Sequence, residues 1–103
     1  MYSSTVENEC LIVKLTEQLE DISFITSLYN NKCPHLILDL LEFDHANIDL
    51  FAKFANFGKK LVGNNSFVMV SEQHLNSEWM IVPTLQEAFD LVELENIERQ
   101  LNQ

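Results

Sequence analysis

Short apolar runs in this chain alternate with longer segments whose apolar residues recur at helical spacing. The short runs occupy residues 10–15, 35–40, 67–70 and 79–82. The run at 35–40 is almost continuously apolar, which is typical of a strand covered on both faces, so we predict that it is the central strand of a sheet. Residues 2–6 are rich in Ser and Thr, and the polar segment Glu7-Asn8-Glu9 predicts a turn that joins them to the 10–15 strand in an opening hairpin.

Three segments have the spacing of helices. Residues 21–29 predict a short helix before Pro34, and residues 47–62 predict a longer one that ends at Gly63. A third helix is predicted at residues 85–101, where Thr84 and Glu87 form the T-x-x-E pattern of a capping box. The order of elements predicts an α/β fold, with a mixed four- to five-stranded sheet and about three helices packed mainly on one face.

The last helix has apolar residues on two sides. Leu85, Ala88, Phe89 and Val92 share one side of a helical wheel, whereas Leu94, Ile97 and Leu101 fall nearly opposite. One sheet cannot bury both sides of a straight helix. We therefore predict that Leu94, Ile97 and Leu101 contact a protein, which could be a second copy of the chain. Fraying or a bend near Asn96 is the alternative.

The middle helix is also unusually apolar. Its polar stripe is narrow, and the apolar arc exceeds the half-circle that one sheet can cover. Two interpretations follow: the aromatic residues fill the core, or part of the arc forms a partner surface. For the second interpretation the predicted contact residues are Asn47, Leu50, Phe54 and Phe57, with Leu61 on the same arc.

Composition limits the classes of function. The chain has 103 residues, enough for one domain, and a formal net charge of −10, which argues against a nucleic-acid partner. Cys10 and Cys33 lack CxxC spacing and are predicted to be reduced core thiols. The sequence shows no secretory signal and no apolar run of membrane-spanning length, so the expected location is cytoplasmic.

Candidate chemistry is sparse. The three histidines lack metal-ligand spacing, and the two glycines, Gly58 and Gly63, cannot build a phosphate loop. No serine or cysteine has a recognisable nucleophile context. We therefore expect no metal, no cofactor and no enzymatic activity. A small-ligand sensor, with its ligand beside the middle helix, remains an alternative to a protein-interaction module.

Several local sequences, in their order, resemble the STAS domain, the sulphate-transporter and anti-sigma-factor-antagonist family. The similar pieces are the strands Leu11-Ile12-Val13-Lys14-Leu15, His35-Leu36-Ile37-Leu38-Asp39-Leu40 and Phe67-Val68-Met69-Val70, the helix that ends at Gly63, and Val82-Pro83-Thr84-Leu85-Gln86-Glu87-Ala88. The resemblance spans nearly the whole chain and implies a single STAS-like domain over residues 1–103.

One motif of the family is missing. Bacterial stand-alone anti-sigma antagonists carry a D-S-S-G or D-S-T-G stretch with a phosphorylated Ser or Thr, where this chain reads Asp44-His45-Ala46-Asn47-Ile48-Asp49. The resemblance implies a non-enzymatic regulatory protein that binds an anti-sigma factor or switch kinase, without the usual phosphorylation site. It also implies a binding surface built from this loop and the helix after it.

Overall fold

The sheet begins with an antiparallel hairpin. β1 (Tyr2–Glu7) pairs with β2 (Cys10–Leu15), and the turn between them places Asn8 and Glu9 at φ values of 53° and 66°. Two successive positive φ values define a type I′ turn, whose twist matches that of the strands it joins. The predicted hairpin is thus confirmed.

The computed structural model describes residues 2–16, 24–29, 33–42, 48–72 and 80–101. For residues 2 and 48–51 it describes the backbone but not the side chains.

The remaining strands are parallel to β2. β3 (His35–Asp39), β4 (Phe67–Val70) and β5 (Ile81–Val82) follow in sequence, so that the spatial order is β1-β2-β3-β4-β5. All five residues of β3 are buried, which confirms it as the central strand. The α/β class with a mixed five-stranded sheet is therefore confirmed.

Two helices cover one face of the sheet. α1 (Phe24–Leu28) connects β2 to β3, and α2 (Ile48–Val62) connects β3 to β4. Both connections step across the sheet in the same direction, and right-handed crossovers in one direction place their helices on one face. α2 ends where predicted, because Gly63 adopts a φ of 60° and its N–H donates to the Lys59 carbonyl at 3.2 Å.

The third helix lies on the opposite face. α3 (Leu85–Leu101) follows β5 at the edge of the sheet and packs back over β4, β3 and β5. The prediction that the helices pack mainly on one face is correct for α1 and α2. It is wrong for α3, which packs on the other face of the sheet. The physical reason is the second apolar layer of the sheet, since Ile12, Ile37 and Val68 point away from α2 and need their own cover.

The core consequently has two layers separated by the sheet. Alternate residues of β2 enter opposite layers: Leu11 and Val13 face α1 and α2, whereas Cys10 and Ile12 face α3. Cys33 belongs to the layer with Leu11, so the two thiols lie in different layers. Both thiols are free and buried, as the sequence predicted.

Candidate functional site

A capping interaction fixes where α3 begins. The Glu87 N–H donates to the Thr84 hydroxyl oxygen at 3.2 Å, and that hydroxyl lies 3.0 Å from a carboxylate oxygen of Glu87. The predicted capping box is confirmed on the threonine side. In the full motif the carboxylate would reach a backbone amide, whereas here it accepts from the Thr84 hydroxyl. The start of the helix is therefore set by local sequence.

One side of α3 is held against the sheet by apolar contacts. Ala88 and Val92 are buried, and Leu85, Phe89 and Leu91 pack against the same layer. These residues recur at the spacing of one helical face. That face is the one the sequence assigned to the core, and its burial determines which residues point outward.

The C-terminal half of α3 is also held by polar contacts. The Arg99 guanidinium donates to the Ser66 hydroxyl at 2.9 Å and to the Asn96 side-chain oxygen at 2.6 Å. The Ser66 N–H donates in turn to Nδ1 of His35 at 3.1 Å. Ser66 is 2% exposed and His35 is 3% exposed, so this chain of contacts connects α3 to the starts of β3 and β4 inside the protein.

The surroundings of the His35 imidazole favour its neutral form. Burial lowers the pKa of His35, and the positive charge of Arg99 lowers it further, against a smaller opposing effect of Glu9 and Glu95. Since Nδ1 accepts the Ser66 N–H, the ring proton lies on Nε2. The acceptor nitrogen is therefore engaged with the backbone and is not available as a base for the Ser66 hydroxyl. Neither sequence spacing nor periodicity pointed to this contact.

The outer side of α3 carries three exposed apolar side chains. Leu94, Ile97 and Leu101 are 52%, 47% and 78% exposed. We call these three residues the α3 stripe. Because α3 is uninterrupted to Leu101, the stripe does not arise from an end of the helix at Asn96. The three residues predicted to contact a protein are therefore exposed on α3, and their contact with a partner stays a prediction.

Acidic side chains surround the α3 stripe. Asp90 and Glu98 stand four residues before and after Leu94, a spacing that makes helical side chains neighbours. Both acids are exposed, as is Glu87 one turn earlier. Arg99, the base nearest in sequence, is turned inward to Ser66. The stripe is therefore an apolar strip inside an electronegative surface.

The contact residues predicted on α2 have a different outcome. Asn47 lies outside the described residues, and only the backbone of Leu50 is described. Phe54 is 1% exposed and belongs to the core, so its predicted place on a partner surface is wrong. Phe57 is half-buried, and with Leu61 it packs against the core layer that includes α1. The apolar arc of α2 is wider than the sheet alone can cover, and at Phe54, Phe57 and Leu61 it packs against the core layer.

A cleft opens beside α3, on the side that faces the β1–β2 turn. It has a volume of about 330 Å³ and is lined by Asn8, Cys10, Phe89, Val92, Glu93 and Asn96. Burial raises the pKa of the Cys10 thiol to about 11, and the charge of Glu9 adds to the effect, so the thiol stays protonated at neutral pH. The cleft lies beside α3, whereas the sequence placed a ligand beside the middle helix.

Within the part of the chain that the structure describes, no group of three or more His, Cys, Asp or Glu side chains is placed to hold a metal ion. None of the helices described is both long enough and apolar enough to cross a membrane.

Comparisons of this chain with protein-family models, with curated proteins and with solved structures found no match.

Proposed function

We propose that this chain is a non-enzymatic protein-interaction module with a STAS-like fold, and that it binds a protein partner through the α3 stripe. The observation that carries the proposal is the exposure of Leu94, Ile97 and Leu101 on the side of α3 opposite its buried face. Full burial of an exposed side chain of this size gains about 1.5–3 kcal/mol, and Leu94 and Ile97 have about half of their surface left to bury. Three such side chains on one helical strip are enough to anchor an interface of modest size.

The charges around the stripe define the partner's chemistry. Asp90 and Glu98 flank Leu94, so a partner gains most when it brings apolar side chains together with Lys or Arg. A second copy would place the same acids against each other. The α3 stripe is therefore suited to a different, locally basic protein. Anti-sigma factors and switch kinases, the partners that the STAS resemblance implies, are the first classes to test.

The test compares two substitutions on the same helix. Leu94→Glu and Gln100→Glu each add one negative charge at an exposed position of α3, but only Leu94 belongs to the stripe. Both variants should fold normally. We expect a basic protein from the source organism to be retained by the natural chain and by Gln100→Glu. Leu94→Glu should weaken that complex at least about tenfold, equal to 1.4 kcal/mol.

Affinities measured by calorimetry with the purified partner give the decisive readout. Equal affinity of all three chains would mean that the partner binds elsewhere, and the proposed role of the α3 stripe would be wrong. Equal loss in both variants would mean that added charge, not the apolar strip, weakens the complex. Thermal melting of each chain alone serves as the control for folding.

A further inference from the structure

The two edges of the sheet differ in how they are protected. β5 contributes only Ile81–Val82 and is followed by Pro83, and a short edge that ends in proline is a poor template for another strand. β1 is six residues long and contains no lysine and no proline. Its residues from Ser3 to Glu7 are exposed, including Val6 at 54%. Among the described strands, none pairs with the outer side of β1, which is therefore the open edge.

The backbone groups on this open edge can be assigned from the hydrogen bonds on its other side. The Glu9 carbonyl accepts from the His35 N–H at 3.3 Å, so the polar groups of Glu9 face β3. Since these groups alternate along a strand, those of Cys10 face β1 and pair with Glu7. A two-residue type I′ turn requires the same closing pair.

The alternation then continues along β1. Glu7, Thr5 and Ser3 direct their N–H and C=O groups towards β2. Tyr2, Ser4 and Val6 direct theirs outward, away from the sheet. The outward groups are evenly spaced about Ser4, so an antiparallel second copy of β1 centred on Ser4 presents its own outward groups at the same positions.

We propose that two copies of this chain pair antiparallel through their β1 edges, with Ser4 opposite Ser4 of the second copy. In this register Tyr2 of one copy lies opposite Val6 of the other, so every outward N–H and C=O of these residues meets its complement. The contact is isologous, as a two-fold axis requires. The two five-stranded sheets become one continuous ten-stranded sheet.

Charge favours a second copy as the occupant of this edge. The chain carries −10 overall, yet residues 2–6 contain no charged side chain. Two β1 strands therefore meet through the neutral part of an otherwise repulsive surface, and Glu7 lies just outside the paired region. Ser3 and Thr5 stand opposite each other across the new interface, a pairing of hydroxyl side chains that sheets accommodate well.

The principal test is Ser4→Pro. Proline removes the outward N–H of Ser4 but none of the bonds from β1 to β2, so the monomer should keep its fold while the dimer loses its central pair. Sedimentation and light scattering should show twice 11.9 kDa for the natural chain and 11.9 kDa for the variant. The loss of two hydrogen bonds should raise the dimer dissociation constant about a hundredfold. Ser4→Lys, which places two like charges opposite each other, is the second variant if Ser4→Pro does not fold.

Cross-linking tests the register. Paired Ser4 residues would lie about 5.5 Å apart between Cα atoms, so Ser4→Cys should form an intermolecular disulfide on mild oxidation. The matched control is Val6→Cys, also exposed, whose two copies would be about 14 Å apart and should not cross-link. Cys10 and Cys33 are buried and do not compete.

The variants distinguish self-association through β1 from protein binding through the α3 stripe. A natural chain that is monomeric at its highest soluble concentration would overturn the β1 dimer, as would a dimer that persists in both Ser4 variants. Equal cross-linking through Val6→Cys would exclude the register. Leu94→Glu should leave the dimer intact, and a dimer lost in that variant would assign self-association to α3 instead. Binding of another protein through the α3 stripe is measured independently with Ser4→Pro.

Discussion

Gly58 in α2 packs directly against the side chain of Phe67 in β4. A side-chain carbon added at this position would overlap the aromatic ring of Phe67. Glycine in a helix costs about 1 kcal/mol relative to alanine, so its presence here reflects packing and not helix propensity. The ring of Phe67 is itself 7% exposed and closes the core layer beneath α2.

Replacing a helical glycine by alanine usually raises the free energy of unfolding, but at Gly58 it should lower it. We expect Gly58→Ala to lower the free energy of unfolding by about 1–3 kcal/mol, because an overfilled core must shift its side chains. Asn56→Ala, two residues earlier on the exposed side of α2, should leave stability unchanged or raise it by a few tenths of a kcal/mol. Urea denaturation of both variants measures the difference.

A double-mutant cycle assigns the cause. Gly58→Ala combined with Phe67→Leu should cost less than the sum of the two single changes, because the smaller side chain vacates the space that the alanine needs. Additive costs would show that the alanine is destabilising for some reason other than the ring of Phe67.

Single residues also show where sequence reasoning ends. Leu94 and Phe54 are both large apolar residues on helices whose apolar surface exceeds one face, and both were predicted to contact a partner. Leu94 is 52% exposed, whereas Phe54 is 1% exposed. The difference is set by what lies beside each helix, since α1 contributes to the layer under α2 and no described element covers the outer side of α3. Sequence periodicity gives the direction of a side chain but not its neighbours.

At the scale of elements, local signals determined the boundaries and non-local contacts determined the placement. The predicted ranges 10–15, 67–70 and 85–101 match β2, β4 and α3, because turns, a proline and a capping box bound them in the sequence. The face on which α3 packs was not predictable in the same way. It depends on the apolar layer of the sheet that α1 and α2 leave uncovered, and on Arg99 reaching Ser66 across 33 positions.

The stability of the folded chain should depend on the protonation of His35, which accepts the Ser66 N–H beside α3. The pKa of His35 is lowered in the folded protein, so the unfolded chain takes up this proton first as the pH falls. Stability from the neutral ring is complete above the unfolded pKa of about 6.5. It is lost as the pH falls from there towards the lower folded value, at no more than about 1.4 kcal/mol per pH unit for one proton.

His35→Asn tests this dependence, because an amide oxygen can still accept the Ser66 N–H but cannot be protonated. The free energy of unfolding of the natural chain should fall between pH 6.5 and 5 more steeply than that of the variant. Parallel curves would show that the proton uptake comes from other groups. The peptide N–H of Ser66 should remain protected from hydrogen exchange in the variant, which checks that the contact survives.

At the scale of the whole molecule, acidic charge is the dominant feature. The net charge of −10 is spread over a chain with a sequence pI near 4.4. The ion pair between Lys14 and Glu42, at 2.8 Å, joins side chains that are 41% and 60% exposed, so solvent and salt screen most of its attraction. Folding brings these like charges closer together, and their repulsion acts over distances that salt controls.

We expect salt to stabilise the folded chain. Raising NaCl from about 10 mM to about 300 mM shortens the screening length from about 30 Å to about 6 Å, which weakens repulsion more in the compact state than in the unfolded one. The free energy of unfolding, measured at one fixed protein concentration because dimerisation also stabilises, should rise over this range. Glu72 is exposed, so its substitution changes the net charge without removing a side chain from the core. Glu72→Gln and Glu72→Lys reduce the charge from −10 to −9 and −8, and the response to salt should decrease in that order. A response that is the same in all three chains would show that salt acts through hydration or pairing, and that repulsion within the folded molecule is not what limits its stability.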